Sequence, residues 1–154
     1  MNGQATFVFD GTDVDTVFVD RLSFVGTEAK GEVTAVEHAS PRTLVVLHSR
    51  WMSYRTGKPA SGAMGEMFGD DMCGGPWMID QPQKLLLRCL NIESSQTKFI
   101  NKAGTVWVLS FKDEGGGTAF VTGPGAATEV LGGELYGSNG NTRSEEHTSE
   151  LQSR

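Results

Sequence analysis

The apolar positions of this chain fall in short runs that alternate with polar ones, separated by clusters of Gly, Pro, Asp, Asn and Ser. Period-two runs of Val, Ile, Leu, Phe and Thr bounded by turn residues predict β-strands. The runs lie at 5–9, 16–25, 30–37, 43–54, 77–79, 84–92, 98–100, 105–111, 118–122 and 129–136. In 16–25, Phe18, Asp20, Leu22 and Phe24 share one face while Val17, Val19, Arg21, Ser23 and Val25 share the other. That mixture predicts a bulge or break near Asp20-Arg21. In 43–54, Leu44, Val46, His48, Arg50, Met52 and Tyr54 share a face that is apolar first and more polar later, as in a strand leaving the core for an exposed rim.

Between the two clearest apolar runs lies 57–82, GKPASGAMGEMFGDDMCGGPWMIDQP, with four of the six methionines. Ala63, Met64, Met67 and Phe68 recur there at helical spacing after Ser61, a suitable N-cap, and predict one short helix. Gly115-Gly116-Gly117 reads as a hairpin turn. About nine short strands, with turn signals every 8–12 residues and no repeat at a fixed period, predict an antiparallel sandwich or a small barrel. The long Gly- and Met-rich connection is then the place for function.

Composition narrows the partners. The 154 residues carry a formal charge of -6, which argues against nucleic-acid phosphate or an anionic membrane as the main partner. Two cysteines, Cys73 and Cys89, make neither a disulfide framework nor a four-ligand zinc site. No apolar run is long enough to span a bilayer, and MNGQATFVFD lacks the regions of a signal peptide, so a cytoplasmic or virion location is expected.

Residues 143–154, RSEEHTSELQSR, resemble the in-frame translation of a common short-read sequencing adapter over the whole dodecapeptide. That resemblance implies an uncultured, metagenomic source. The expectation is then a single β-domain at 1–142, open to truncation at its C-terminus, with His147 set aside from every site.

Tests for catalytic motifs return negatives. Met52 stands where a phosphate loop needs its first Gly, and Pro59 where it needs Ser or Thr. Pro59-Ala60-Ser61-Gly62-Ala63 is not a nucleophile elbow. The acids Asp10, Asp13 and Asp15 miss the calcium-loop spacing and read as a solvated turn. A loose set remains: His48, Arg50, Asp70, Asp71 and Cys73, with His38 nearby in sequence. Imidazole and carboxylates suit a divalent metal, and a thiol beside an imidazole suits nucleophilic chemistry, provided that they meet in space. No other cofactor is expected. Trp51, Tyr54 and Arg55, with Met64, Met67, Phe68 and Trp77, have the composition of an interface.

Two functions fit these residues. The first is a non-enzymatic β-domain acting by self-assembly (a homo-oligomer) or by binding another protein, as a phage or viral structural component would. The second is a small barrel that binds or transforms a small molecule under a Met-rich lid.

Overall fold

The computed structural model describes residues 6–24 and 34–136. Fourteen strands, and no helix, occur among them: β1 (Phe7–Phe9), β2 (Val17–Asp20), β3 (Val36–His38), β4 (Leu44–Leu47), β5 (Tyr54–Thr56), β6 (Met67–Cys73) and β7 (Trp77–Ile79), then β8 (Lys84–Glu93), β9 (Phe99–Asn101), β10 (Thr105–Val108), β11 (Phe111–Glu114), β12 (Phe120–Thr122), β13 (Ala127–Val130) and β14 (Gly133–Tyr136). The adapter-like tail, and the starts of the runs at 5–9 and 30–37, lie outside the described residues.

Every strand pairing is parallel, and partners are never consecutive hairpin strands. The first sheet runs β1-β3-β5-β7-β9-β12; the second runs β2-β4-β6-β8-β10-β13, with β11 and β14 attached through β8. The chain therefore winds as a β-solenoid, each coil adding one rung to both sheets. This corrects the expected antiparallel sandwich or barrel. Short alternating strands with frequent turns are common to both architectures. What separates them is whether a strand pairs with the next one or with its counterpart a full coil later.

The coil length varies, which hides the repeat. Phe7, Val36, Tyr54, Trp77, Phe99 and Phe120 stack in register at intervals of 29, 18, 23, 22 and 21 residues. Side chains of like kind stack because parallel in-register rungs place equivalent positions beside one another. Tyr54 and Trp77 have ring centroids 5.0 Å apart, Trp77 and Phe99 5.9 Å, and Phe99 and Phe120 5.5 Å. Facing them from the second sheet is the column Val17, Leu44, Met67, Leu85 and Val106, and these two inner faces form the core.

The predicted helix is absent. Its Met67 and Phe68 begin β6, while 61–66 form an irregular connection. The segment 57–82 is one coil of the solenoid and covers no barrel. Gly65 explains how tightly that connection is held. A Cβ there would stand 1.8 Å from the Arg42 carbonyl oxygen. Its N–H donates to Ser40 O, and its carbonyl accepts from Gln83 Nε2 at 2.7 Å. The glycines at 115 and 117, with φ of 104° and 88°, turn a corner from the second sheet to the first instead of closing a hairpin.

The break expected near Asp20-Arg21 is present and recurs. Arg21, His48, Asp71 and Cys89 have φ of 56°, 49°, 50° and 55°, a conformation uncommon for residues with a Cβ. Each follows a position of one register column, Asp20, Leu47, Asp70 and Arg88. They form a corner at which the second sheet bends. Beyond it Met72 and Cys73 pair with Leu90 and Asn91, and those in turn lie beside β11. Because one residue at this corner takes the left-handed step in each of these four coils, inward and outward positions change parity there. His48 leaves the face of Leu44 and Val46, whereas Met52 and Tyr54 re-enter the core.

Candidate functional site

The corner gathers much of the chemistry that the sequence singles out. His48, Arg50, Trp51, Asp71 and Cys73, together with Cys89, Asn91 and Glu93, line an open groove of about 410 Å³. Stacked coils bring them together: His48 and Asp71 are corner residues of neighbouring rungs, and Cys73 is in register with Asn91. Cys89, Asn91 and Glu93 are the members that sequence reasoning missed. Their signal is visible only once β8 is known to lie beside β6.

Local bonds fix the groove walls. His48 Nδ1 lies 2.9 Å from Asp20 Oδ1, and this contact is the main reason that the Asp20 carboxyl is held below the usual carboxylate range. Asn91 Nδ2 donates to Glu93 Oε1 at 2.9 Å. Asn91 Oδ1 is a buried acceptor with no hydrogen-bond donor among the described residues. Unsatisfied buried acceptors are few in native proteins and invite a donor from solvent or ligand. Among the described residues, no group of three His, Cys, Asp or Glu side chains converges as a metal site would require.

Asp70 is not in this groove. Its side chain lies on the outer surface of the second sheet, where Arg88 Nε and Nη2 bind its two oxygens, the first at 2.7 Å. This fork is the largest cause of the lowered Asp70 pKa and of the raised Arg88 pKa. Geometry of this kind fixes both side chains although both are solvent-accessible.

The residues expected at an interface are scattered, with Trp51 in the corner groove. Tyr54, Met67 and Trp77 are buried in the core. Arg55 pairs with Glu37 at 3.3 Å on the outside of the first sheet, and Met64 lies beside Ala63 and Glu66 near Lys84. Phe68 belongs to the outer face of the second sheet. There Phe18, Val45, Phe68, Leu86 and Trp107 form one register column. Leu47 and Leu109 flank it. Phe18 is 69% exposed, Leu86 36% and Leu109 45%. The equivalent outer column of the first sheet is Val8, Glu37, Arg55, Met78, Ile100 and Val121, which a charge pair interrupts. Five consecutive apolar rungs, ended by Glu129 on β13, set the second sheet apart.

His38 is the fully buried histidine among the described residues, and it lies outside the groove. Its Nδ1 accepts from Gln83 Nε2 at 2.9 Å, while Tyr54 OH donates to Gln83 Oε1 at 2.8 Å. Gln83 thus uses both amide hydrogens, the second on Gly65 O. Burial pushes the His38 pKa down and the Tyr54 pKa up. This polar knot ties the 57–66 connection to the core.

Compared with protein-family models, with curated proteins and with solved structures, the chain shows no match. Among the described residues no helix is long and apolar enough to cross a membrane.

Proposed function

We infer that this chain is a non-enzymatic structural module that works by self-association, of the kind used in a phage or viral particle. One observation carries the reading: the unbroken apolar column Phe18, Val45, Phe68, Leu86 and Trp107 on the outside of a sheet whose inside is already packed. Apolar side chains in a contiguous exposed row mark a surface that another macromolecule covers. Stacked rungs give such a row a flat and regular footing. The net charge of -6 makes an anionic nucleic acid a poor occupant. Sedimentation velocity over a rising concentration series tests the reading. A shift from 16.6 kDa towards a discrete multiple is expected, and an unchanged monomer at the highest concentration would contradict it.

A second reading is kept because of Asn91 Oδ1. The corner groove would bind a small polar ligand that donates to this oxygen, with His48, Arg50 and Asp71 around it. Its test is a thermal-shift screen of polar small molecules against the parent and Asn91→Leu. Stabilisation of the parent that the variant lacks would support it; equal shifts would remove it.

A further inference from the structure

The outer face carries charge as well as apolar surface, and the arrangement specifies a partner. On β6, Glu66, Phe68 and Asp70 point outward in succession, with Glu66 just before the strand. On β8 the corresponding residues are Lys84, Leu86 and Arg88. One strand is therefore acid–apolar–acid and its neighbour base–apolar–base. Within the chain the two are matched, Lys84 Nζ lying 3.6 Å from Glu66 Oε1 and Arg88 forking onto Asp70.

We propose that a second copy of this chain packs face to face on this sheet, about a two-fold axis that runs along the strands between β6 and β8. This rests on the self-association reading above and names its surface and symmetry. The rotation lays β6 of one copy over β8 of the other. Glu66 then faces Lys84 of the second copy, Phe68 faces Leu86 and Asp70 faces Arg88. One rung outward, Val45 faces Trp107 and Leu47 faces Leu109; a further rung out, Phe18 faces Glu129, so the matched contact is centred on β4, β6, β8 and β10. Both charge pairs become four-membered networks in which every neighbour is of opposite sign, and the apolar column lies between them. A two-fold axis along the solenoid instead would set Glu66 against Asp70 and Lys84 against Arg88, like against like. The isologous interface is thus self-complementary in one orientation and repelled in the other. Six strands about 4.8 Å apart and roughly five residues of about 3.3 Å give a footprint of roughly 24 by 16 Å. That is small for a specific interface, so association depends on concentration.

Charge reversal tests the geometry. Asp70→Arg places a second guanidinium beside and opposite Arg88; Arg88→Asp places a second carboxylate in the same relation to Asp70. Each variant alone is expected to self-associate at least about tenfold more weakly than the parent. An equimolar mixture of the two should restore association, because the two guanidinium groups of one chain then meet the two carboxylates of the other. Melting curves close to the parent's show that both variants are folded; if either is not, Leu86→Lys, which must also abolish association, replaces it. A parent that stays monomeric overturns the self-association reading itself. A parent that associates, with variants that associate equally well or a mixture that does not recover, overturns this interface and leaves the reading standing.

Discussion

Trp77 stacks on Tyr54 with ring centroids 5.0 Å apart and planes 29° from parallel, although 23 residues of chain separate them. The contact follows directly from parallel in-register pairing, and it continues through Phe99 to Phe120. Each aromatic pair contributes about 0.5–1.5 kcal/mol beyond the area it buries. The column is therefore a principal cohesion between rungs.

Trp77→Ala is expected to destabilise the fold by about 3–5 kcal/mol, since it opens a cavity between two further rings. Urea denaturation measures this as a lower midpoint at an unchanged slope. A loss below about 1 kcal/mol would mean that the rungs hold together without the column.

Lys98 is fully buried, with Nζ 2.9 Å from Asp113 Oδ1, an oxygen that has no other partner among the described residues. The ammonium also donates to the Gly116 carbonyl, so it fastens the corner between β11 and β12. Removing one partner strands a buried charge, and Lys98→Met should cost about 3–5 kcal/mol. Lys98→Met with Asp113→Leu should recover a large part of that loss. A double-mutant cycle reads the difference, and additive losses would contradict the buried pair.

Burial lowers the pKa of His38 from its ordinary 6.5. Backbone groups of Arg42 and Ser40 act in the opposite direction, but neither is in hydrogen-bonding geometry with Nε2, so desolvation prevails. The native chain then binds fewer protons than the unfolded one between the depressed value and 6.5. Stability contributed by neutral His38 is present above 6.5 and is lost as pH falls from there towards the depressed value, by at most about 1.4 kcal/mol per pH unit. Denaturation midpoints measured from neutral pH down to about pH 5 should fall, and His38→Gln should flatten that fall. An identical slope in the variant would place the titration elsewhere.

The local pattern along the chain finds many of the strand positions, but it takes the start of β6 for a helix and runs β4 and β5 together as one strand at 43–54. It predicts the architecture badly. The run at 84–92 is β8 almost to the residue, and the mixed faces at 16–25 foretell the left-handed step at Arg21. Pairing is a different matter. Nothing local tells a strand at Leu44 whether its partner is the next strand or one a coil away. The glycines after Glu114 suit a hairpin and a corner equally. The aromatic residues 54, 77, 99 and 120, spaced by 23, 22 and 21, are the signal that would reveal the coil. The 18- and 29-residue coils before them blur it. The same applies to the groove: His48, Asp71 and Cys73 are conspicuous as residue types, but Cys89 and Asn91 join them only through register. Phe68 and Leu86 look like core residues until parity shows that Met67 and Leu85 occupy the core.

Three tryptophans occupy three different places: Trp77 in the core, Trp51 in the corner groove and Trp107 on the outer face. Acrylamide quenching of Trp51→Phe and Trp107→Phe, followed over a concentration series, therefore reports which surface becomes covered. With Trp107 retained, quenching should decrease as the chain associates. With Trp51 retained instead, it should stay constant. Shielding of Trp51 while Trp107 remains accessible would contradict the account and make the groove the working surface.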